Sequence, residues 1–258
     1  MVDSHCHLDF PDYQEDFSAV LARTQEALEF VINVGTDIHT SQRAVDLSEA
    51  HNFIYSAIGI HPHEAGTVNI QTIDRLRTLA AGAKVVAIGE CGLDYTKLNL
   101  GDAENEKKLQ AEAFLVQIEL AQSRQLPLVI HCREAYDDLL RILTSISVNW
   151  RGVIHCYLGD AETAEQLMSL GFFISFTGII TFKNAAPALL ESVKQVPIDK
   201  MLLETDAPFL APVPYRGKRN EPAFVAEVAK KVAEIKGISL GEVDDITTHN
   251  VRSLFGIS

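Results

Sequence analysis

The chain opens on MVDSHCHLDF, residues 1–10, a short strand-like run from Val2 that ends in His5-Cys6-His7. An open, nucleotide-binding sheet would usually follow its first strand with a glycine-rich turn that cradles phosphate. No such glycines stand here, and the run ends on two imidazoles instead. Working outward, further strand-like runs lie at Phe30–Gly35, Phe53–Ile60, Lys84–Glu90, Leu126–His131, Gly152–His155, Phe172–Phe176 and Lys200–Asp206. Between them the residue pattern predicts helices near 15–28, 39–51, 69–81, 103–125, 134–145, 160–169, 185–195 and 221–236, with a last helix over 240–254. Strands that are apolar throughout and alternate with helices indicate a parallel sheet covered on its outer face. Eight such repeats in 258 residues fit a closed (β/α)8 TIM barrel, class α/β, spanning 1–258 as one domain. In the predicted helix 103–125, Leu109, Ala113, Val116 and Leu120 fall on one face and are expected to pack inward.

Composition bounds the function. Apolar residues make up 47% and charged residues 22%, the balance of a folded globular chain and not of a disordered one. The formal net charge is −13, so a general basic surface for nucleic acid is excluded, and a polyanionic substrate needs a local cationic site. No run approaches the ~20 apolar residues of a membrane span, and no basic segment precedes an apolar one at the N-terminus. A cytoplasmic protein without membrane association or an obligate protein partner is expected. The four cysteines do not make a disulfide scaffold.

Chemistry concentrates at the predicted strand ends. His5 and His7, two apart on a strand, point to the same side. Glu90 ends the fourth strand, His131 the fifth, His155 the sixth and Asp206 the eighth. Barrel enzymes build their sites at this C-terminal face. Four imidazoles and two carboxylates buried there without partners would cost several kcal/mol, which divalent metal removes. The set suits two cations about 3.5–4 Å apart, bridged by a carboxylate and a water. Cys6, Cys91, Cys132 and Cys156 each follow a proposed ligand, so alternation is expected to turn them toward the surrounding helices.

The runs VDSHCHLD, GIHPH, AIGECGLDY, LPLVIHCREA, VIHCY, FTGIITFKNA, LLETDAPFLAP and YRGKRNEP cover essentially the whole chain in order. Together they resemble the TatD family of metal-dependent deoxyribonucleases. The resemblance implies a barrel of the metal-dependent hydrolase type that cleaves phosphodiesters in DNA with two divalent cations. It further implies that His5, His7, Glu90 and Asp206 hold one cation while Glu90, His131 and His155 hold the second. Glu90 can bridge because a carboxylate offers two oxygens, and Asp206 can orient or deprotonate the attacking water. Mixed N/O ligation accommodates zinc, manganese, iron, nickel or magnesium.

A substrate rim is expected around this core. It comprises Lys183 after the seventh strand, Arg216 with Lys218 and Arg219 after the eighth, Arg133 two residues past His131, and Tyr95 as a surface for stacking on a base. Of His61 and His63, one is expected to meet substrate phosphate and the other to brace its loop, with His63 assigned to substrate. The leading functional expectation is a 3′→5′ exonuclease acting on single-stranded DNA ends. The alternative keeps barrel and metals but hydrolyses an amide, a lactone or an aminoacyl ester.

Overall fold

Valine, isoleucine and leucine dominate the strand-like runs. Each run forms one strand of a single parallel sheet in the computed structural model, which describes residues 1–99 and 101–258. The strands are β1 Val2–Cys6, β2 Phe30–Val34, β3 Ile54–Ile58, β4 Val85–Asp94, β5 Leu128–Arg133, β6 Gly152–Ile154, β7 Phe172–Phe176 and β8 Met201–Leu203. They pair in sequential order. The helices are α1 Phe17–Ala27, α2 Ile38–Ala50, α3 Ile70–Leu79, α4 Ala103–Arg124, α5 Tyr136–Ser145, α6 Ala161–Leu170, α7 Pro187–Gln195, α8 Val225–Lys236 and α9 Leu240–Phe255. Local chemistry sets several of the starts: Asp37 and Ser239 form capping boxes, and Asn69 and Asp160 accept from the third residue onward. Among the described residues no helix is long and apolar enough to cross a membrane.

The barrel closes between β8 and β1 through contacts beyond the strand ends. Cys6 bridges Ala207, His7 N donates to Ala207 O at 2.8 Å, and Asp206 N donates to His5 O at 3.0 Å. The buried Asp3 carboxylate accepts from the Thr205 amide and hydroxyl across the same seam. One apolar cluster, with Ile32, Val34, Ala57, Val129 and Leu202, joins the strands to Val251, Leu254 and Phe255 of α9. Asn250 of α9 also donates to Met201 O, at the start of β8, so this helix seals the N-terminal end of the barrel. A larger cluster packs the strands against the surrounding helices. The C-terminal end is left for polar groups.

Three features differ from the sequence-based expectation. First, β4 and β5 run on to Asp94 and Arg133, whereas β6 and β8 stop at Ile154 and Leu203, short of His155 and Asp206. Within β4, Gly89 and Gly92 have φ of +146° and +137°. A Cβ on either would come within 2.3 Å of Val129 O or 2.1 Å of His131 O, so only glycine permits this approach to β5. Three steps along β4, from Ile88 to Cys91, face two along β5, and the bulge falls beside Glu90.

Second, α4 buries Ala113 and Leu120 as expected, but its inward face is turned toward Gln110, Phe114 and Gln117 and away from Leu109. Leu109 is 45% exposed, while Gln110, Phe114 and Gln117 are buried. The Gln110 amide exchanges two 2.8 Å hydrogen bonds with the Asp94 backbone. Gln117 does the same for Ile60, at 2.7 and 3.0 Å. These glutamines satisfy backbone groups at strand ends that no ladder reaches.

Third, Cys6, Cys91 and Cys132 are buried between strands and helices as expected, but Cys156 is not. It follows the end of β6 with φ +44°, outside the alternation of the strand, and half-buried at the barrel mouth. Burial still pushes its thiol up to about 12. All four cysteines are free.

Candidate metal centre and active site

The six residues expected as ligands converge at the C-terminal end of the barrel. Glu90, on the β4 bulge, lies at the middle of the group. Its Oε1 is 2.7 Å from His131 Nδ1 and 3.0 Å from His155 Nε2, and its Oε2 is 3.5 Å from His5 Nε2 and 3.9 Å from His7 Nε2. Asp206 Oδ1 stands 3.4 Å from His7 Nε2 and 3.8 Å from His5 Nε2. The two Nε2 atoms of His5 and His7 are 3.2 Å apart, and the His5 ring stacks on His155 at 3.8 Å.

The second nitrogen of three of these rings decides what the first can do. His7 Nδ1 lies 2.7 Å from Val34 O, and a carbonyl only accepts, so that nitrogen carries the proton. The His7 lone pair on Nε2 therefore faces the Asp206 and Glu90 carboxylates. His155 Nδ1 is 3.0 Å from Glu204 Oε1, and His131 Nε2 is 3.0 Å from Asp94 Oδ2. Each of these rings has one nitrogen tied to an acceptor and the other aimed at Glu90. Lone pairs facing carboxylates repel unless a cation or proton lies between them, and a ring held by an outer acceptor is the usual arrangement of a metal-binding histidine. The donor set therefore fits divalent metal. His5 Nδ1, by contrast, is buried without a partner.

Titration behaviour follows from the same geometry. Burial opposes the Glu90 carboxylate, but His155, His61 and hydrogen bonds from His131 and His155 hold its pKa well below the ordinary value. Burial likewise opposes the Asp206 anion, which His7 holds down. Burial and the neighbouring His155 lower His5, which keeps it a neutral ligand-type imidazole. His155 is raised against its burial by Glu90 and Glu204.

Asp94 and Glu204 were not singled out from the sequence, although the signal was present. Asp94 is four residues after Glu90, and Glu204 two before Asp206, both even spacings on a strand-like segment. Glu204 Oε1 also accepts from Cys156 N at 2.6 Å, so one carboxylate fixes both the His155 ring and the turn after it. Replacing Glu204 by Ala removes the one acceptor that serves both groups and should weaken metal binding on the His131/His155 side by about 10- to 100-fold. Competitive chelator titration measures this, and an unchanged affinity would contradict the positioning role.

The predicted rim divides. A mouth cavity of about 520 Å³ is lined by Glu90, His131, His155 and Asp206, and also by His61, His63, Arg133 and Lys97. Arg133 reaches it because β5 continues, pairing with Asp94 of β4. Lys97 was missed by sequence reading. His61 goes deeper than expected. Its Nδ1 accepts from His63 N at 3.1 Å, so its proton sits on Nε2, 3.6 Å from Glu90 Oε1. Burial pulls its pKa down to about 3, and the ring is a neutral donor. His63, nearer solvent, places Nε2 3.3 Å from Asp94 Oδ2.

Tyr95, Lys183 and Arg216 do not line the cavity. The Tyr95 hydroxyl donates to Asp138 Oδ2 at 2.7 Å and Lys107 covers its ring, so it is held against α4 and α5. The Arg216 guanidinium lies 4.0 Å over the Phe182 ring, beside the exposed Lys183. Arg219 pairs in bidentate fashion with Asp16.

Fold and cluster together define a (β/α)8 barrel of the metal-dependent hydrolase type. The chain belongs to the TatD related DNase family, whose model matches residues 2–256. It is 42% identical over 260 residues, covering 100% of both chains, to the Bacillus subtilis (strain 168) protein named uncharacterized metal-dependent hydrolase YabD. It is 34% identical, again over 100% of both, to the 3′-5′ ssDNA/RNA exonuclease TatD of Enterobacter lignolyticus (strain SCF1). The crystal structure of YJJV, a TatD homolog from Escherichia coli K12, superposes with a TM-score of 0.91 at 29% identity, covering 100% of this chain and 98% of that one.

Proposed function

We propose that the chain is a metal-dependent phosphodiesterase that trims single-stranded DNA from its 3′ end. It holds one divalent cation among His5, His7, Glu90 and Asp206 and a second among Glu90, His131 and His155. The observation that carries this reading is the division of one carboxylate between two sets of imidazoles. Glu90 Oε1 faces His131 and His155, and Glu90 Oε2 faces His5 and His7. Divalent cations bound there would supply an activated water at neutral pH and stabilise charge on the phosphoryl oxygens.

The remaining work falls to the chain. Asp206, beside His7 and at the cavity wall, orients the attacking water and accepts its proton. His61 presents its Nε2–H toward the cluster, where it donates to a phosphoryl oxygen. Arg133, Lys97 and His63 at the lip receive flanking phosphate, which supplies the local cationic site that a chain of net charge −13 requires. The name of the Enterobacter relative supports nucleic acid as the substrate class.

The test is degradation of an end-labelled single-stranded oligodeoxynucleotide by the protein with added Mn²⁺ or Mg²⁺, and again after chelation. A simple lactone and an aminoacyl-tRNA are assayed in parallel. Metal-dependent loss of 3′ nucleotides, abolished by chelator, is expected. Turnover of the lactone or the aminoacyl ester with DNA left intact would overturn the phosphodiester reading in favour of ester hydrolysis at the same centre.

A further inference from the structure

The mouth cavity has one aromatic wall that the chemistry above does not use. Phe209 lines it and is 48% exposed, an unusual state for a phenylalanine whose backbone is so firmly held. Its amide donates to Asp206 O at 2.9 Å and its carbonyl accepts from the buried Asn220 side chain at 2.6 Å. The ring is thus presented to the cavity from a fixed turn. Phe10 lies edge-to-face with it, ring centroids 5.9 Å apart, and Phe10 in turn stacks on the His7 imidazole at 4.7 Å. The two phenylalanines therefore stand beside the His7–Asp206 half of the cluster. The cation Arg133 stands by Asp94 and His131 instead, since it pairs with Asp94 in the sheet and His131 bonds the same Asp94, and Lys97 lines the same cavity.

We propose that Phe209, backed by Phe10, is a nucleobase-stacking subsite that holds the base of the nucleotide whose phosphate lies at the histidine–carboxylate cluster. The inference rests on the phosphodiester reading and specifies its substrate. Planar bases of any identity stack on an aromatic face, so such a wall grips a strand end without reading sequence. A rigid platform also loses little freedom when the base arrives. Anionic oxygens are drawn to the metal and to the cationic lip, while the base is drawn to the phenylalanine face beside them. This polarity gives a bound nucleotide one orientation across the cavity. A lactone or an aliphatic acyl ester has no group for this wall.

The test is binding and not turnover. The Mn²⁺-loaded full chain is titrated calorimetrically with deoxyadenosine 5′-monophosphate and with deoxyribose 5-phosphate, which carries the same phosphate and sugar but no base. Wild-type protein should bind the nucleotide roughly tenfold more tightly, within the range measured for base–aromatic stacking. Phe209→Ala should bring the ratio close to one, and Phe209→Trp should keep it or raise it. Equal wild-type affinities, or a tenfold preference that survives Phe209→Ala, would overturn the subsite. A protein that shows the base preference but leaves DNA uncut keeps the subsite and loses the nuclease reading. One that cuts DNA with no base preference does the reverse.

Discussion

On the proposed two-cation centre, Glu90→Gln should reduce bound metal from two cations per chain to less than one and lower the proposed DNA hydrolysis by at least about a thousandfold. The substitution preserves size and shape at a buried position, so the barrel itself is expected to persist. What changes is the number of anionic oxygens. In the native chain, Oε1 serves the His131/His155 set and Oε2 the His5/His7 set. An amide keeps one neutral oxygen and turns a hydrogen-bond donor toward the other set, where lone pairs already converge. Both cation sites are therefore weakened by one change. A thousandfold loss corresponds to about 4 kcal/mol of transition-state stabilisation, a scale appropriate to a preorganised electrostatic site. His155→Ala is the comparison, since it removes a donor nitrogen from the His131/His155 set alone, although its ring also stacks on His5, and it should leave about one cation per chain. Elemental analysis of protein purified without chelator, together with turnover on labelled single-stranded DNA, measures both effects. Two cations retained in Glu90→Gln, or near-native turnover, would sink the bridging role.

The order of strands and helices was readable because each depends on local pattern: continuous apolar runs for strands buried on both faces, and a 3.6-residue period for helices. The six convergent side chains were readable because they stand at or just beyond strand ends, where a buried imidazole or carboxylate has no simple structural use. What stayed hidden depends on partners far apart in sequence. Gln110 and Gln117 are polar residues on the buried face of α4, so a purely hydrophobic stripe catches Ala113 and Leu120 but takes in the exposed Leu109 and leaves out both glutamines. The requirement that buried them, two unpaired strand-end backbones, exists only once the barrel has formed. Asp94 and Glu204 act through His131 and His155, and their even spacing from Glu90 and Asp206 places them on a shared side without identifying either as the outer partner of a ring. Tyr95 was a reasonable aromatic at a strand end, but the extension of β4 to Asp94 carries it past the mouth to Asp138. Its expected role fits Phe10 and Phe209, which lie in loops whose direction no periodicity constrains.

A covalently closed single-stranded circle should be degraded at least about a hundredfold more slowly than a linear strand of the same sequence. A cavity of about 520 Å³ lies within the range of small-molecule sites and accommodates about one nucleotide. Glu90 and His155, at its floor, are buried, so a phosphodiester reaches them only if its nucleotide leaves the stack and enters the mouth. A free end enters with one flank of chain behind it. An internal phosphate must bring both flanks through the same opening, folded back on each other, and a duplex is wider still. The protein offers little outside the mouth to offset that cost. Arg133 and Lys97 are the cations at the cavity, Arg219 is bound to Asp16, and the net charge is −13. With about two phosphates neutralised, log K for single strands should fall against log salt with a slope near −1.4, far shallower than for a protein that tracks a long strand. Arg133→Ala should accordingly weaken binding more than Arg216→Ala, whose side chain rests on Phe182 away from the cavity. Gel analysis of circle and linear strand under identical metal and salt gives the ratio directly. Equal rates would show that internal phosphates reach the centre unaided, and the end-dependent reading would then fall even with both cations in place.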